Sequence, residues 1–250
     1  MRAPSQAQPR RREFFLFAFL VLVALGVLVA LGTWQLERKA WKEALIDTLT
    51  HRLGAPPGDL PARENYGRLR SGDDEFRHVR FRASFRPDQQ ALVYTSGSAL
   101  RSDVSGAGYW VFAQARLADG STVVVNRGFV PEGRQDQRGA SDDRPRDIVG
   151  VMRWPEPRNW FTPGDDPARN LWFVRDHRAI AAAKGWGDVA PFFIDQEAPV
   201  PAGGLPRPGP LTINLRNEHL QYALTWFGLA AVLLVVFGLW ARGREPIAAP

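Results

Sequence analysis

The sequence predicts an α+β membrane protein: two transmembrane helices, forming a hairpin, flank a mainly antiparallel β outer domain with a little helix. Three observations predict it. The 250 residues are 45% apolar, enough for an ordinary globular domain, yet the apolar residues are concentrated at the two ends. Residues 14–31 and 220–240 carry no charged side chain, and each block meets the roughly 17–25 residues that a ~30 Å hydrocarbon core asks of a helix. Between them the pattern changes to short alternating runs separated by turn residues, the mark of half-buried strands.

Arg10, Arg11 and Arg12 precede the first block, and Arg242 and Arg244 follow the second. The positive-inside rule therefore assigns residues 1–12 and 241–250 to the cytoplasm, residues 13–36 and 220–240 to the two spans, and residues 37–219 to the periplasmic side. A cleaved signal peptide competes for the first block, because the Arg cluster resembles an n-region and Ala30-Leu31-Gly32 loosely resembles a cleavage site. Against it, the apolar run exceeds the ~7–15 residues of an h-region and continues into Gly32-Thr33-Trp34-Gln35-Leu36, whose Trp suits an interfacial anchor. Twelve residues ahead of the span leave little room for a mitochondrial presequence, so the expected location is a bacterial inner (plasma) membrane with both termini inside.

Residues 35–53 read as a helix leaving the bilayer, ended by Gly54-Ala55-Pro56-Pro57-Gly58. Over residues 78–85, Val79, Phe81, Ala83 and Phe85 alternate with Arg80, Arg82 and Ser84, so the apolar set faces a core and Arg82 faces water. Residues 109–117 and 121–126 flank Ala118-Asp119-Gly120, a hairpin signal because Asp-Gly accepts the positive φ of a tight turn. Further strands are expected at 147–153 and 190–195, with a short helix at 176–184 between them. Residues 132–147 hold almost nothing apolar and read as a solvated loop. Residues 198–210, with five prolines and three glycines, read as a stiff connector into the second span.

Cysteine is absent, which excludes disulfides, thiol nucleophiles, iron–sulfur ligation and covalent c-type haem attachment. The charge of +6 and pI near 10.3 rest on 29 arginines and 3 lysines dispersed among acids, which suits anionic lipid headgroups. No nucleic-acid-binding motif accompanies them, so no nucleic-acid partner is expected. G-x-S-x-G, H-E-x-x-H and P-loop patterns are missing, and the paired acids Asp73-Asp74, Asp142-Asp143 and Asp165-Asp166 sit among turn residues; no enzyme is predicted.

The candidate chemistry lies at the mouths of the spans. His219 opens the second, with Tyr222 and Trp226 at i+3 and i+7 on the same helical face. That imidazole can serve as an axial haem ligand between flanking rings; a polar cap followed by an aromatic belt explains the same residues. Trp34, Arg38 and Trp41 recur at i, i+4 and i+7 at the mouth of the first span, where Arg38 is either a partner for an acidic group such as a haem propionate or an arginine snorkelling to headgroups. In Asn126-Arg127-Gly128 a strand reads as ending in a turn, with Arg127 either displayed to a partner or incidental to it. Asn159-Trp160-Phe161-Thr162-Pro163 and Asn170-Leu171-Trp172-Phe173 are aromatic-rich loop segments that either pack under the barrel, the default expectation, or touch the membrane.

Five segments together resemble the Surfeit-locus family of cytochrome oxidase assembly proteins: Gly32-x-Trp34-Gln35-Leu36-x-Arg38-x-x-Trp41-Lys42; Gly108-Tyr109-Trp110-Val111; Asn126-Arg127-Gly128-Phe129-Val130-Pro131; Asp166-Pro167-Ala168-Arg169-Asn170-x-Trp172; and Asn217-x-His219-x-x-Tyr222-Ala223-x-Thr225-Trp226. They run in order along nearly the whole chain, with Phe129 standing where the family commonly has Trp. The resemblance implies an assembly factor for the haem–copper oxidase, acting around insertion of haem a into the large catalytic subunit, with the haem a synthesis machinery as a further partner. By motif, His219 becomes the candidate iron ligand, Tyr222, Trp226, Trp34 and Arg38 its surroundings, and Arg127 a partner-binding position. The rival expectation is a scaffold without haem that stabilises a half-built subunit through protein contacts.

Overall fold

The computed structural model describes residues 8–137, 139, 143–212 and 217–243. Arg244 and Asp142, both used above, lie outside that set. Two compact units emerge, one of Met1–Asp47 with Arg216–Pro250, the other Thr48–Leu215.

The first unit is a pair of helices. Helix α1 spans Gln8–Gly54, so the expected helix at 35–53 is an unbroken continuation of the first apolar block. The C-terminal helix spans His219–Arg242. Both are long and apolar enough to cross a membrane. They run antiparallel: near the start of α1, Phe14 stacks on Trp240 at 5.7 Å and Phe17 meets the same indole at 4.5 Å, while further along Gly32 abuts Phe227.

In the second unit, a two-residue strand β1 (Gly58–Asp59) and a single-turn helix α2 (Ser71–Asp74) lead into β2 (His78–Gly97). There follow β3 (Ser105–Leu117), β4 (Thr122–Pro131), β5 (Arg146–Arg153), the short β6 (Leu171–Trp172), α3 (His177–Lys184) and β7 (Phe193–Ala198); the C-terminal helix is therefore α4. Strands β2, β3, β4, β7 and β5 pair in that order, and β5 pairs back to β2, which closes a barrel. All its pairings are antiparallel except β4 with β7. Closure removes the open edges that would otherwise expose unpaired backbone groups.

The alternation at residues 78–85 is as expected, with Val79, Ala83 and Phe85 buried, Phe81 half-buried and Arg80 and Arg82 exposed. The strand does not stop there. β2 runs on through Pro87 to Gly97, and its register against β3 jumps between Phe85 and Gln90. The change of neighbour comes earlier, with β5 bonded over residues 78–83 and β3 from Ala83 onward, and Pro87 falls in the irregular stretch between Phe85 and Gln90, where a missing N–H forfeits no ladder bond. The 118–120 hairpin forms, with Gly120 at φ 79° and Ser121 N–H donating to the Asp119 carboxylate at 2.9 Å.

Successive residues of β4 feed two cores. Val123 and Val125 join Phe85, Ile148, Met152 and Phe192, whereas Val124 and Phe129 join Trp110, Phe112, Trp172 and Ile180. Strand β4 is thus covered on both faces, which explains its unbroken apolar run. Helix α3 supplies the second cover. Asp176 caps it by accepting the amides of Arg178 and Ala179, and Gly185 ends it at φ 65°.

The stiff connector expected at 198–210 is fastened to the barrel. Phe129 and Arg207 exchange backbone bonds of 3.0 and 2.8 Å, and Thr212 N–H donates to Leu100 O at 2.8 Å. A Cβ on Gly128 (φ 125°) would collide with the Arg207–Pro208 backbone, so glycine there is demanded both by conformation and by the passing chain. The loop from 132 is mostly exposed among its described residues, with a 3-10 turn at Gln135–Gln137.

Phe85→Ala should cost about 3–5 kcal/mol through the cavity it leaves, and Arg82→Ala under about 0.5 kcal/mol; urea melts of the detergent-solubilised chain measure both. Equal losses would mean the inward and outward faces of β2 are misassigned.

His177 is fully buried, its Nε2–H donating to Ala190 O at 2.9 Å, and burial pushes its pKa down to about 4 from an ordinary 6.5. The unfolded chain takes up a proton at higher pH than the folded one. Its stabilising share is therefore complete above about pH 6.5 and is lost as pH falls towards 4, by on the order of 3 kcal/mol. Denaturation midpoints taken between pH 7.5 and 4 should fall less steeply for His177→Gln than for the wild type, and parallel slopes would exclude this histidine as the cause.

Candidate functional site

His219 is the first residue of α4 and half-buried. Its Nδ1 lies 2.7 Å from Oε1 of Gln35 on α1. An amide oxygen only accepts, so Nδ1 carries the proton and donates, which leaves the lone pair on Nε2. That is the tautomer in which a neutral imidazole binds iron.

The contact exists because the two helices approach closely. Three residues before Gln35, a Cβ on Gly32 would stand 2.6 Å from the Phe227 ring. On α4 the buried positions are Ala223 and Ala230, small residues that let neighbouring helices close. A bulky residue at 32 would force the helices apart and break the bond one turn away.

Around this pair the expected residues fall as follows. Tyr222 is 52% exposed and Trp226 half-buried, on the side of α4 that carries His219. Trp34 adjoins Gln35 in sequence and is exposed, and the exposed Arg38 holds its guanidinium 4.1 Å over the Trp41 ring on its own helix. The arrangement is one imidazole nitrogen beside accessible aromatic rings, with a cation nearby on α1. Among the described residues no group of three or more His, Asp or Glu is placed to hold a bare metal ion. Gln35 was not among the residues singled out for chemistry; its only signal was its place within the Trp34-Gln35-Leu36 motif.

The reading of Arg127 as displayed is corrected. Its side chain is only 3% exposed and its guanidinium lies 4.8 Å over the Phe85 ring. The supposed turn is a bulge within β4, where Trp110 pairs with Phe129 and Phe112 with Asn126, so the intervening Arg127 turns inward. Its neighbours build a buried network. Asn126 donates to Asp195 at 2.7 Å, and Asp195 also receives Arg153 at 3.2 Å and Arg175 at 3.5 Å. Burial alone would push Arg175 down, but Asp195 and Glu156 outweigh it and hold the guanidinium above its ordinary value. Burial would likewise raise Glu156, yet its bond with Arg175 holds it low.

Arg153, Glu156 and Arg175 of this network line a groove of about 630 Å³ together with Tyr94, Trp110, Phe161 and Phe173. Trp172 packs as expected, but Trp160 and Phe161 do not: they are 87% and 75% exposed, with ring centroids 3.8 Å apart. The Asn159 side chain, accepting from Phe161 N–H at 3.0 Å and Thr162 Oγ1 at 2.9 Å, builds a turn that holds them outward.

Residues 22–231 match the family model described as the SURF1 family. The chain belongs to the SURF1 family. Surfeit locus protein 1 of Mus musculus is 34% identical over 98% of this chain and 82% of its own length. The Homo sapiens protein of that name is 33% identical over 98% and 84%, and a SURF1-like protein of Monosiga brevicollis 35% over 90% and 88%. The SURF1 match begins within α1 and ends within α4, so both helices and the barrel fall inside it.

Proposed function

We propose that this SURF1-family chain is an assembly factor for haem–copper cytochrome c oxidase that binds haem a as transient cargo and aids its insertion into the large catalytic subunit. The observation that carries the reading is the His219–Gln35 bond, which leaves Nε2 of a half-buried imidazole available beside Tyr222 and Trp226. Arg38 and Trp34 stand on the partner helix, where a cation suits a propionate and an indole suits an apolar ring. Haem a is apolar over most of its surface, so it travels best within or beside a bilayer.

The two helices supply that setting. Leu16 and Leu22 of α1 are 62% and 67% exposed, uncovered by protein, as lipid-facing side chains are. With Arg12 before the first apolar block and Arg242 at the end of the second, the orientation proposed is both termini in the cytoplasm and the barrel in the periplasm of a bacterial inner membrane. A periplasm-dependent reporter fused after Pro250 should stay silent; an active one would invert the topology.

A second reading, a scaffold without haem that grips an oxidase intermediate, is favoured by one observation: Trp160 and Phe161 are held outward, and exposed aromatic pairs make strong protein contacts. The two readings part at His219. Purified from cells that make haem a, the wild type should show a haem spectrum and His219→Ala should not, while still inserting and folding; the mature oxidase should lose haem a accordingly. Tyr222→Ala and Trp226→Ala should weaken binding less, since they remove ring contact and leave the iron bond. Wild-type haem content in His219→Ala would reject the carrier reading, and the scaffold would then predict that Trp160→Ala with Phe161→Ala abolishes capture of the subunit.

A further inference from the structure

Resting on the haem-carrier reading, we propose that Gln35 is the positioning residue of this site: it fixes the tautomer and aim of His219 and, being neutral, sets the iron bond weak enough for the cargo to leave. Three features of the contact argue for it. The separation of 2.7 Å is at the short end of the hydrogen-bond range, so the bond is well formed. It joins residues 184 positions apart, on two different helices, so it is made by the packing of the hairpin and not by local sequence. And it consumes Nδ1, one of the two ring nitrogens that could reach a metal, which leaves Nε2 as the sole ligand atom.

An imidazole on the first residue of a helix turns freely about its side-chain torsions unless something holds it. Gln35 does so, and Gly32 and Ala223 allow α1 close enough for the amide to reach. The acceptor's charge then tunes the bond to iron. A carboxylate behind Nδ1–H draws the proton away from the ring, makes the imidazole a stronger donor and favours oxidised iron. An amide oxygen draws less. The weaker of these two donors suits a cargo haem, because a carrier must lose its ligand to a final site that binds better.

The test uses the full chain, purified in detergent with haem a from cells that make it, and also depleted of haem and titrated with protohaem. Three variants are compared with wild type. Gln35→Leu should weaken haem binding about 10–100-fold, lower the iron–histidine stretching frequency of the reduced form and raise the reduction potential. Gln35→Glu should bind at least as tightly as wild type, with a higher stretching frequency and a lower potential. His219→Ala should lose the haem. A role for Gln35 in helix packing alone would change affinity in Gln35→Leu without these opposite spectral and potential shifts, and that result overturns the proposal. Should Gln35→Leu separate the helices, seen as lost cross-linking between cysteines placed at Gly32 and Phe227 of this cysteine-free chain, the Gln35→Glu comparison decides alone: an unchanged potential and frequency rejects the role. Haem retained by His219→Ala would instead remove the carrier reading itself, and this proposal with it.

Discussion

Every element of this chain answers one constraint, that a backbone N–H or C=O withdrawn from water must find a partner, at a penalty of several kcal/mol for each that does not. The two apolar helices satisfy it locally, each amide to a carbonyl four residues back, which is the only solution open to a single segment in hydrocarbon. The barrel satisfies it by closure. Strand β2 is the means, bonded to β5 through its first residues and to β3 through the rest, so a single bent strand seals the ring. The connector after β7 is drawn into the same accounting, bonding Phe129 and Leu100 where the barrel would otherwise end in unpaired edges.

Close backbone approach follows from that constraint, and it explains motifs that look functional when read as strings. Gly128 is required because the Arg207–Pro208 backbone passes against it, and Gly108 because the Phe129 ring and the Val130 carbonyl fill the space a Cβ would take. The segments holding Trp110 and Phe129 are cross-strand neighbours whose rings meet edge to face at 5.7 Å. The Asn126 amide, one residue before Arg127, serves to pin β4 to Asp195 of the parallel strand β7. Asp195 in turn depends on Arg153 and Arg175, since a buried carboxylate without cationic partners would be untenable.

Periodicity made much of this legible. The alternation at Val79–Phe85, the Asp119-Gly120 turn, the Asp176 cap and Gly185 stop of α3, and both apolar helices each carry their physical cause within a few adjacent residues. What escaped was non-local. The alternation stops at Phe85, and nothing nearby announces that β2 resumes after an irregular stretch, because its continuation is set by pairing with β3. The prolines of 198–210 read as a stiff connector, but not as one fastened to the barrel, because its partner Phe129 is far from Arg207 in sequence. Arg127 looks exposed beside a glycine, and a bulge turns it under the Phe85 ring. At the candidate site His219, Tyr222 and Trp226 were visible as a stripe on one helix, whereas Gln35 acquires meaning only when α1 and α4 are side by side.

That difference bears on how such a site would work. A ligand held by its own helix alone binds whether or not the hairpin is closed. A ligand oriented from the opposite helix binds well only in the closed pair, so anything that spreads α1 from α4 also weakens the grip on the cargo. At the His219 end the seam holds Gly32 against the Phe227 ring and the small Ala223, while the larger ring contacts of Phe14 and Phe17 with Trp240 lie at the far end. On the carrier reading proposed above, parting the helices at the His219 end would leave the opposite end packed, so the cargo would leave without the chain unfolding.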